Sequence, residues 1–289
     1  MDLRTFLILF HLCPGVGNVN ELRLAAFLKI YQRIPTESEL KQLLKLSPKQ
    51  ITIVLEALKQ PWLQAKLQAN LLASQTLTIL DKDYPLKLKE SYQPPAVIFY
   101  QGDLNLLNKP LLAIVGARKA DNYAKQALMS LIKPVVASGI ITISGLALGV
   151  DSLCHQLTLQ AGQKTIGVIG SGLDVTYPKT NYLLQAQVAK EGLLLSEYPL
   201  GSPPLRFHFP ERNRIIAGLC DSILVVEARH HSGSLITANL ALQNNRNVLA
   251  IPGPITASLS QGCNELIAAG AKLVAKPADI LTEFDDYLL

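Results

Sequence analysis

Glycines, hydroxyl residues and basic residues follow several apolar runs of this chain, and their spacing suggests phosphate chemistry. The clearest stretch is "SGLALGVDSLCH" (144–155), in which Gly145 and Gly149 come soon after the apolar run "IITI". Glycine allows a phosphate to approach backbone N–H groups, and the start of a helix presents several of them. The spacing matches neither the dinucleotide motif G-x-G-x-x-G nor the P-loop G-x-x-x-x-G-K-[ST]. The stretch therefore predicts a phosphate cradle of another kind.

The elements that must position these loops are found from residue 110 onward, where strand-like and helix-like segments alternate. The predicted strands are "LLAIVG", "IITIS", "KTIGVIG", "LLLSE", "SILVVEA" and "NVLAIPG", and the predicted helices cover 121–137, a segment from about 150, 180–190, 211–219, 234–245 and 260–269. Continuous apolar strands are typical of parallel sheets buried on both faces, and the alternation indicates an α/β fold. We expect an extended Rossmann-like, doubly wound, mostly parallel sheet over 109–289, closed by a solvated acidic helix.

The first 78 residues show a different pattern, with apolar residues at three- and four-residue spacing in five short segments. They predict a small all-α domain, similar to SAM or helix-hairpin-helix domains, with N-caps at Ser38 and Ser47. The turn "CPGVGN" (13–18) either directs its amides at a backbone phosphate or is a plain tight turn, and the plain turn is the preferred interpretation. Residues 79–108 are expected to form a connector with one strand, "AVIFYQGD".

Ligands of doubly wound sheets bind beyond the carboxyl ends of the strands, so the residues after each strand are the candidates for binding. The loops after the predicted strands contain hydroxyl residues and cations, namely Ser144, Ser171, Ser232, Ser234, Arg118, Lys179, Arg212 and Arg214. Arginine grips a phosphate with two parallel hydrogen bonds. A single phosphate does not need so many donors. The set indicates a nucleotide with several phosphates or the backbone of a nucleic acid.

The loop "RFHFPERNR" (206–214) mixes cations with aromatic rings, which suits a single strand whose bases stack on the rings. Tyr182, three residues after Lys179, is a further candidate for stacking. The alternative for Phe207 and Phe209 is that they anchor the loop in the core, and this is the preferred interpretation. The alternative for Arg118 and Lys179 is a solvated loop end. Asn213 either orients the loop or bonds a phosphate.

Catalytic and metal chemistry find little support in the sequence. Asp151, Glu197 and Glu227 lie near strand ends, but they form no convincing set with His155, and Asp151 is interpreted as a helix cap. The four cysteines form no C-x-x-C pair, which argues against zinc and suits a reducing compartment. No run reaches the length of a membrane span. We expect a cytoplasmic protein without cofactor or metal, whose net charge of +5 permits an anionic partner.

These loops resemble those of the DprA/Smf family of DNA-processing proteins. The matching stretches are "VGAR" (115–118), "SGLALGVDSLCH" (144–155), "GSGLDVTYPKTN" (170–181), "LLSEYPLG" (194–201), "FHFPERNRIIAGLCDSILVVEA" (207–228), "SGSLITA" (232–238), "AIPGP" (250–254) and "GCNELIAAGAKLV" (262–274). The match covers about residues 80–275, and the helical front end is similar to the N-terminal domain of that family with weaker motifs.

The resemblance implies a domain that binds single-stranded DNA, and a homodimer that protects incoming DNA and loads the RecA recombinase onto it in natural transformation. With the strand-end residues Ser171 and Gly172, and with Tyr182 added from its spacing, the predicted DNA-binding residues are Arg118, Ser144, Gly145, Gly149, Ser171, Gly172, Lys179, Asn181, Tyr182, Arg212, Asn213, Arg214, Ser232, Gly233 and Ser234. Many relatives carry a C-terminal winged-helix domain, and this chain is expected to lack one.

Two enzymatic alternatives use the same kind of sheet. Phosphoribohydrolases of the lysine-decarboxylase-like group resemble this chain in fold, but their P-G-G-x-G-T-x-x-E turn is replaced here by "EARHHSGSLITA" (227–238), without the double glycine or the downstream glutamate. A NAD-dependent oxidoreductase would need G-x-G-x-x-G after the first strand, where "VGARKAD" stands. The sequence therefore favours a non-enzymatic mediator over either enzyme.

Overall fold

A nine-stranded sheet forms the centre of the molecule, described over residues 1–288 by a computed structural model. The strands are β1 (Gln75–Thr78), β2 (Val97–Gly102), β3 (Leu111–Val115), β4 (Ile141–Ser144), β5 (Thr165–Ile169), β6 (Leu193–Ser196), β7 (Ser222–Val225), β8 (Asn247–Ala250) and β9 (Lys272–Leu273). Their order is β1-β2-β6-β5-β4-β3-β7-β8-β9. Strands β3 to β9 run parallel, whereas β2 is antiparallel to both β1 and β6.

Helices cover both faces of the sheet and precede it. They are α1 (Leu3–His11), α2 (Asn18–Tyr31), α3 (Glu37–Leu43), α4 (Pro48–Leu58), α5 (Pro61–Ala73), α6 (Leu86–Lys89), α7 (Asn122–Ala137), α8 (Val150–Gln160), α9 (Tyr182–Glu191), α10 (His208–Leu219), α11 (Gly233–Gln243), α12 (Gln261–Ala268), α13 (Pro277–Leu281) and α14 (Asp285–Leu288). Short 3-10 helices cover Leu104–Asn108, Lys179–Asn181 and Thr282–Phe284. The predicted doubly wound α/β class is confirmed, and so is the helical nature of the front end.

The burial pattern of β3 explains why its sequence is continuously apolar. Leu112 and Ile114 point into a core with α7 and α8, whereas Ala113 and Val115 point into a core with α10 and α11. Side chains of a strand alternate between the two faces of the sheet, so a strand covered by helices on both sides needs apolar residues at every position.

The first five helices, called here the helical unit, pack against the β2–β6 side of the sheet. Phe10 and Leu28 share a core with Phe99 of β2 and Leu194 of β6. Ser47 caps α4 as expected, and Gln50 completes a capping box. The cap expected at Ser38 is wrong, because Thr36 caps α3 together with Glu39.

Two features of the sheet and of the chain's end differ from expectation. Strands β1 and β9 were not predicted, because β1 is a polar edge strand and β9 has two residues. The acidic tail is helical, but it is not simply solvated, because Ile280 and Phe284 are buried in the core beside α7. Their four-residue spacing gives the tail one apolar face.

The strand order creates a switch point between β3 and β7. From β3 the chain adds β4, β5 and β6 on one side, and it then returns to add β7 and β8 on the other. Because the connections after β3 and β7 depart in opposite directions, a crevice opens at the carboxyl edge of the sheet.

Candidate nucleic-acid interface

A cleft of about 450 Å³ occupies this crevice. Its walls come from the loop after β3, the loop after β4, the first turns of α10 and the start of α11. Six of the predicted site residues line this switch-point cleft: Arg118, Arg212, Asn213, Ser232, Gly233 and Ser234. A smaller side depression shares Arg118, Ala147, Phe209 and Arg212 with the cleft, and it adds the predicted residues Gly145 and Ser171. The two together form one groove along the strand ends.

The glycines of the loop after β4 allow close packing of the protein on itself. Gly149 has a φ of +77°, and a Cβ there would overlap the carbonyl of Ala117. The N–H of Val150 donates to that same carbonyl at 3.2 Å. Gly145 lies against the guanidinium of Arg212 so closely that no Cβ fits between them. These glycines therefore shape the floor of the groove, and they bring the loops after β3 and β4 together.

Arg212 forms part of that floor and is almost fully buried. Its Nη1 donates to the carbonyls of Gly145 and Val168, and its Nε donates to Oδ1 of Asn213 at 2.9 Å. Its Nη2 makes no hydrogen bond to any residue that the structure describes. Burial lowers the pKa of Arg212, and the charge of the Asp151 carboxylate opposes that effect. The side chain thus clamps two strand ends and keeps donor capacity beside the groove.

Asp151 does not cap helix α8, contrary to the expected role. Its Oδ2 accepts from the N–H of Ala147, at 3.4 Å, in the loop that precedes the helix. Burial raises the pKa of Asp151, while the neighbouring Arg212 and Arg118 oppose that rise. The carboxylate holds the loop and balances part of the positive charge of the groove.

Five predicted residues are engaged within the protein or lie behind the groove surface. Ser144 is buried, and its Oγ donates to the carbonyl of Ile114 at 2.6 Å. Ser171 donates to the carbonyl of Val175 at 2.8 Å. Asn181 is also buried and donates from Nδ2 to the carbonyl of Leu146 and to Oγ of Ser152, both at 2.9 Å. The N–H of Gly172 donates to the carbonyl of Ser202, and Gly149 is covered as described above. These residues hold the loops in place.

The exposed cations carry the binding potential of the groove. The Arg118 guanidinium lies 5.2 Å from the ring centroid of Phe209, and the ring centroid of Tyr177 lies 5.6 Å from that of Phe209. Lys119 and Arg229 line the same cleft and were not among the predicted site residues. Both follow strands, so the strand-end rule that found Arg118 would have found them too. Lys179 is exposed outside the two depressions, as is Tyr182, which is 65% exposed.

The start of α11 closes the cleft opposite Arg118. Ser232 is the N-cap residue, and its buried Oγ has no partner among the described residues. Ser234 donates from Oγ to the carbonyl of Gly116 at 2.9 Å, and open space surrounds Gly233. The first N–H groups of a helix have no acceptor within the helix, and they carry partial positive charge. This wall therefore offers donors that suit an anion.

Arg214 lies elsewhere, although only one residue separates it from Arg212. It forms an ion pair with Glu197, with Nη2 to Oε1 at 2.6 Å, and both side chains are largely buried. Residues two apart on an α-helix point about 200° apart, so one of the two arginines must leave the groove. Arg214 faces a third cleft, of about 470 Å³, between α10 and the helical unit.

The preferred expectation for the "RFHFPERNR" loop, that Phe207 and Phe209 anchor it in the core, is wrong. Phe207 is 58% exposed and Phe209 is partly exposed in the groove, so neither is a core anchor. The anchor is His208, which is buried, donates from Nδ1 to the carbonyl of Gly170 at 3.0 Å, and stacks on Tyr198 with ring centroids 3.8 Å apart. His208 thus holds the loop in place, and Phe209 faces the groove.

The titratable residues considered for catalysis are not grouped in the groove. His155 is fully buried beside Thr165, and burial lowers its pKa to about 3. Burial raises the pKa of Glu227 to about 7, and its Oε2 accepts from the N–H of Asp121. Among residues 1–288, no three His, Cys, Asp or Glu side chains form a group that could hold a metal ion.

None of the helices within residues 1–288 is both long enough and apolar enough to cross a membrane.

The fold and the groove define a class of protein: a doubly wound α/β protein with an arginine-lined crevice at its switch point. The chain belongs to the DNA recombination-mediator protein A family, whose model matches residues 75–285. It is 48% identical to the DNA processing protein DprA of Streptococcus pneumoniae over 210 residues, which are 73% of this chain and 74% of that protein. With the DprA of Bacillus subtilis the identity is 42% over 212 residues, 73% of this chain and 71% of the relative.

Solved structures agree with this assignment. The X-ray structure of DprA from Streptococcus pneumoniae matches 99% of both chains with a TM-score of 0.91 and 37% identity. A structure of DNA processing protein A from Helicobacter pylori, described for its single-stranded DNA binding mode, matches 74% of this chain and 98% of that chain. Its TM-score is 0.67 and its identity is 31%.

Proposed function

We propose that this chain is a non-enzymatic recombination mediator that binds single-stranded DNA in the groove of the switch-point cleft and the side depression. The observation that carries the proposal is the contact of Arg118 with Phe209 at the centre of that groove. A cation beside an aromatic face binds a backbone phosphate and a stacked base at once, which suits a single strand better than a duplex. The Helicobacter pylori relative, described for binding single-stranded DNA, supports this choice of ligand.

The predicted residues then fall into two groups. Arg118, Lys179, Arg212, Asn213 and the Ser232–Ser234 turn contact DNA directly, with Tyr182 as an outer stacking ring. Ser144, Gly145, Gly149, Ser171, Gly172 and Asn181 position the loops that make those contacts. The remaining predicted residue, Arg214, belongs to neither group, because it pairs with Glu197 and faces the third cleft. Lys119 and Arg229 are added to the direct group because they line the same cleft.

The partners of the proposed function are RecA and a second copy of the chain. We infer that the protein protects incoming single strands and loads RecA onto them in natural transformation, in the cytoplasm. Four free, buried cysteines suit that reducing compartment. We propose that the dimer forms through the C-terminal third, which exposes the apolar side chains of Ile236, Leu242, Ile255 and Leu273. Sedimentation of an Ile255→Glu variant tests the dimer, which we expect to be weakened.

The first experiment measures binding of a labelled oligo-dT by fluorescence anisotropy across a salt series. We expect steeply salt-dependent binding by the native protein, and loss of most affinity in the double variant Arg118→Glu, Lys179→Glu. The matched control is Lys133→Glu, Lys164→Glu, which reverses two exposed cations at the amino edge of the sheet and should bind as the native protein does.

The outcomes separate the proposed function from the enzymatic alternative. If oligo-dT does not bind, or if the groove variant binds as well as its control, the groove is not a DNA site. Hydrolysis of nucleoside monophosphates is then the assay for the phosphoribohydrolase alternative, which the family match disfavours. If DNA binds in the groove, assembly of RecA on DNA coated with a single-strand-binding protein tests the loading step.

A further inference from the structure

A buried histidine joins the helical unit to the rest of the molecule. His11, the last residue of α1, lies between α2 and the segment after β6. Its Nδ1 is 2.9 Å from Oε2 of Glu21, and its Nε2 is 2.9 Å from the backbone carbonyl oxygen of Glu197. The His11 and Glu21 side chains are 8% and 4% exposed. We call the contact of His11, Glu21, Glu197 and Arg214 the junction.

The hydrogen-bond chemistry of this contact fixes a proton count. A carbonyl oxygen only accepts, so Nε2 of His11 must donate to Glu197. An ionised carboxylate also only accepts, so Nδ1 must donate to Glu21 as well, and a neutral imidazole carries only one N–H. The junction therefore holds one proton more than a neutral histidine and an ionised glutamate would carry. Without that proton, two acceptors face each other in a buried place, which is unfavourable.

The other charged groups around His11 do not supply an alternative donor to its two partners. From strand β2, the ring of Phe99 lies against His11, with the two ring centroids 5.7 Å apart. The titratable and charged groups around His11 and its partners include Glu21, Glu197, Arg214, Tyr84, Tyr198 and Cys13. Arg214 donates from Nη2 to Oε1 of Glu197, whereas its Nη1 and Oε2 of Glu197 have no partner among the described residues.

The junction is connected to the proposed DNA groove through helix α10. Glu197 binds Arg214 on α10, and Arg212 on the same helix clamps the groove floor. We propose that His11 is a proton-dependent latch, which docks the helical unit on the segment after β6 while the junction holds its proton and loosens that docking when the proton is lost. The latch does not depend on the proposed DNA binding, because its contacts lie outside the groove.

The direction of the pH effect follows from the surroundings of His11. Burial lowers the pKa of His11, but the charges of Glu21 and Glu197 and the hydrogen bonds to them more than offset it, so the pKa is raised. A histidine whose pKa is raised on folding contributes its full stability below the ordinary pKa of about 6.5. That contribution is lost as the pH rises through the raised pKa of the folded protein. Alkaline conditions should therefore loosen the junction.

The first test follows the ring signals of the five histidines by NMR during a pH titration of the full chain. His11→Gln identifies the signal of His11. We expect that signal to titrate at higher pH than the ordinary histidine value of about 6.5, and to move to lower pH in Glu21→Gln. A His11 signal that stays neutral throughout, or that titrates at or below that ordinary value, overturns the latch.

The second test uses Trp62, the single tryptophan, which lies on α5 and reports unfolding of the helical unit. Its fluorescence during urea unfolding is compared at pH 6 and pH 9 for the native protein, His11→Gln and the matched exposed variant His230→Gln. We expect His11→Gln to lower the urea midpoint at pH 6 and to lower it by less than half as much at pH 9, with His230→Gln unchanged at both. An equal loss at both pH values shows ordinary packing and overturns the proposal. If His11→Gln does not fold, the shift of the His11 signal in Glu21→Gln decides the matter.

Discussion

Arg212 and Arg214 are separated by one residue on α10, yet they belong to two different regions of the molecule. In the groove, Arg212 keeps one guanidinium nitrogen without a hydrogen bond among the described residues, and Arg118, Lys119 and Arg229 line the same cleft. In the junction, Arg214 forms an ion pair with Glu197, although its Nη1 also has no partner among the described residues. The difference teaches that residue type alone does not identify a binding cation. The better indicator is the ion pair, because Glu197 already neutralises Arg214 whereas Arg212 is held by Asn213 and backbone carbonyls.

The groove and the junction also differ in how they stabilise buried charge. The junction buries carboxylates, an imidazole and a guanidinium, and it stabilises them by pairing. The groove buries Arg212 against backbone carbonyls and balances it only partly with Asp151. A buried pair is costly to break because the remaining charge keeps its desolvation penalty. The exposed cations of an open groove can replace solvent ions by DNA phosphates as partners, with a smaller desolvation penalty. The two regions should therefore fail in different ways when they are mutated.

The largest expected effect is on stability, from breaking the junction pair. Arg214→Met leaves Glu197 buried without its partner and should destabilise the protein by about 3–5 kcal/mol. The double variant Arg214→Met, Glu197→Met removes both charges and should recover most of that loss. Urea unfolding of the two single variants and the double variant gives the coupling free energy. If Arg214→Met keeps native stability but fails to bind oligo-dT, Arg214 lies in the DNA site. That result would contradict the distinction between the groove and the junction.

The second effect concerns the backbone of the groove. Gly149→Ala combines a backbone conformation that only glycine adopts readily, with φ +77° and ψ −125°, and an overlap onto the Ala117 carbonyl; each costs about 1–3 kcal/mol. The control is Gly162→Ala at the other end of α8, where φ is +71° and a Cβ meets open space. It should lose only the cost of a positive φ, about 1–2 kcal/mol. Thermal unfolding of both variants separates the two terms, and equal losses would show that the loop after β3 moves aside.

Much of the fold could be predicted because its signals are local. The apolar run of β4 and the two glycines after it placed a loop at the carboxyl edge of a sheet, where the structure has it. Strand β1 was missed since Gln75, Thr76 and Thr78 give an edge strand no apolar pattern. Its place in the sheet is determined by pairing with β2, which lies about twenty residues away and is not visible in a short window.

The site could be predicted only in part, because the direction of a side chain depends on how its helix packs. The strand-end rule found the Arg118 loop, but it did not separate Arg212 from Arg214. The run Phe207-His208-Phe209 shows the same limit. Apolar area favours burying the phenylalanines, whereas the carbonyl of Gly170 takes a hydrogen-bond donor, and His208 is the residue buried there. Partners distant in sequence decide such positions.

The third effect concerns base stacking, and it distinguishes the groove side of α10 from the side that faces the third cleft. Phe209→Leu removes the ring beneath Arg118, and stacking of one base is worth about 1–3 kcal/mol. We expect a roughly 5- to 150-fold weaker affinity for oligo-dT at constant salt dependence, because no charge is lost. Phe207→Leu is the control, since Phe207 lines the third cleft beside the junction. Anisotropy titrations of both variants measure the difference, and equal weakening would mean that DNA contacts both walls.

The smallest effect is a change of slope, and it measures how far the groove extends. Lys179 is exposed beyond the side depression, and Lys179→Gln removes one charge without touching the core. If the lysine neutralises one phosphate of a single strand, the slope of log K against log salt should become shallower by about 0.7. Lys164→Gln is the control, because Lys164 precedes β5 at the amino edge and pairs with Asp103. If the slope is unchanged in both variants, bound DNA does not extend from Arg118 to Lys179. If the slope changes in Lys164→Gln, DNA contacts the opposite edge of the sheet.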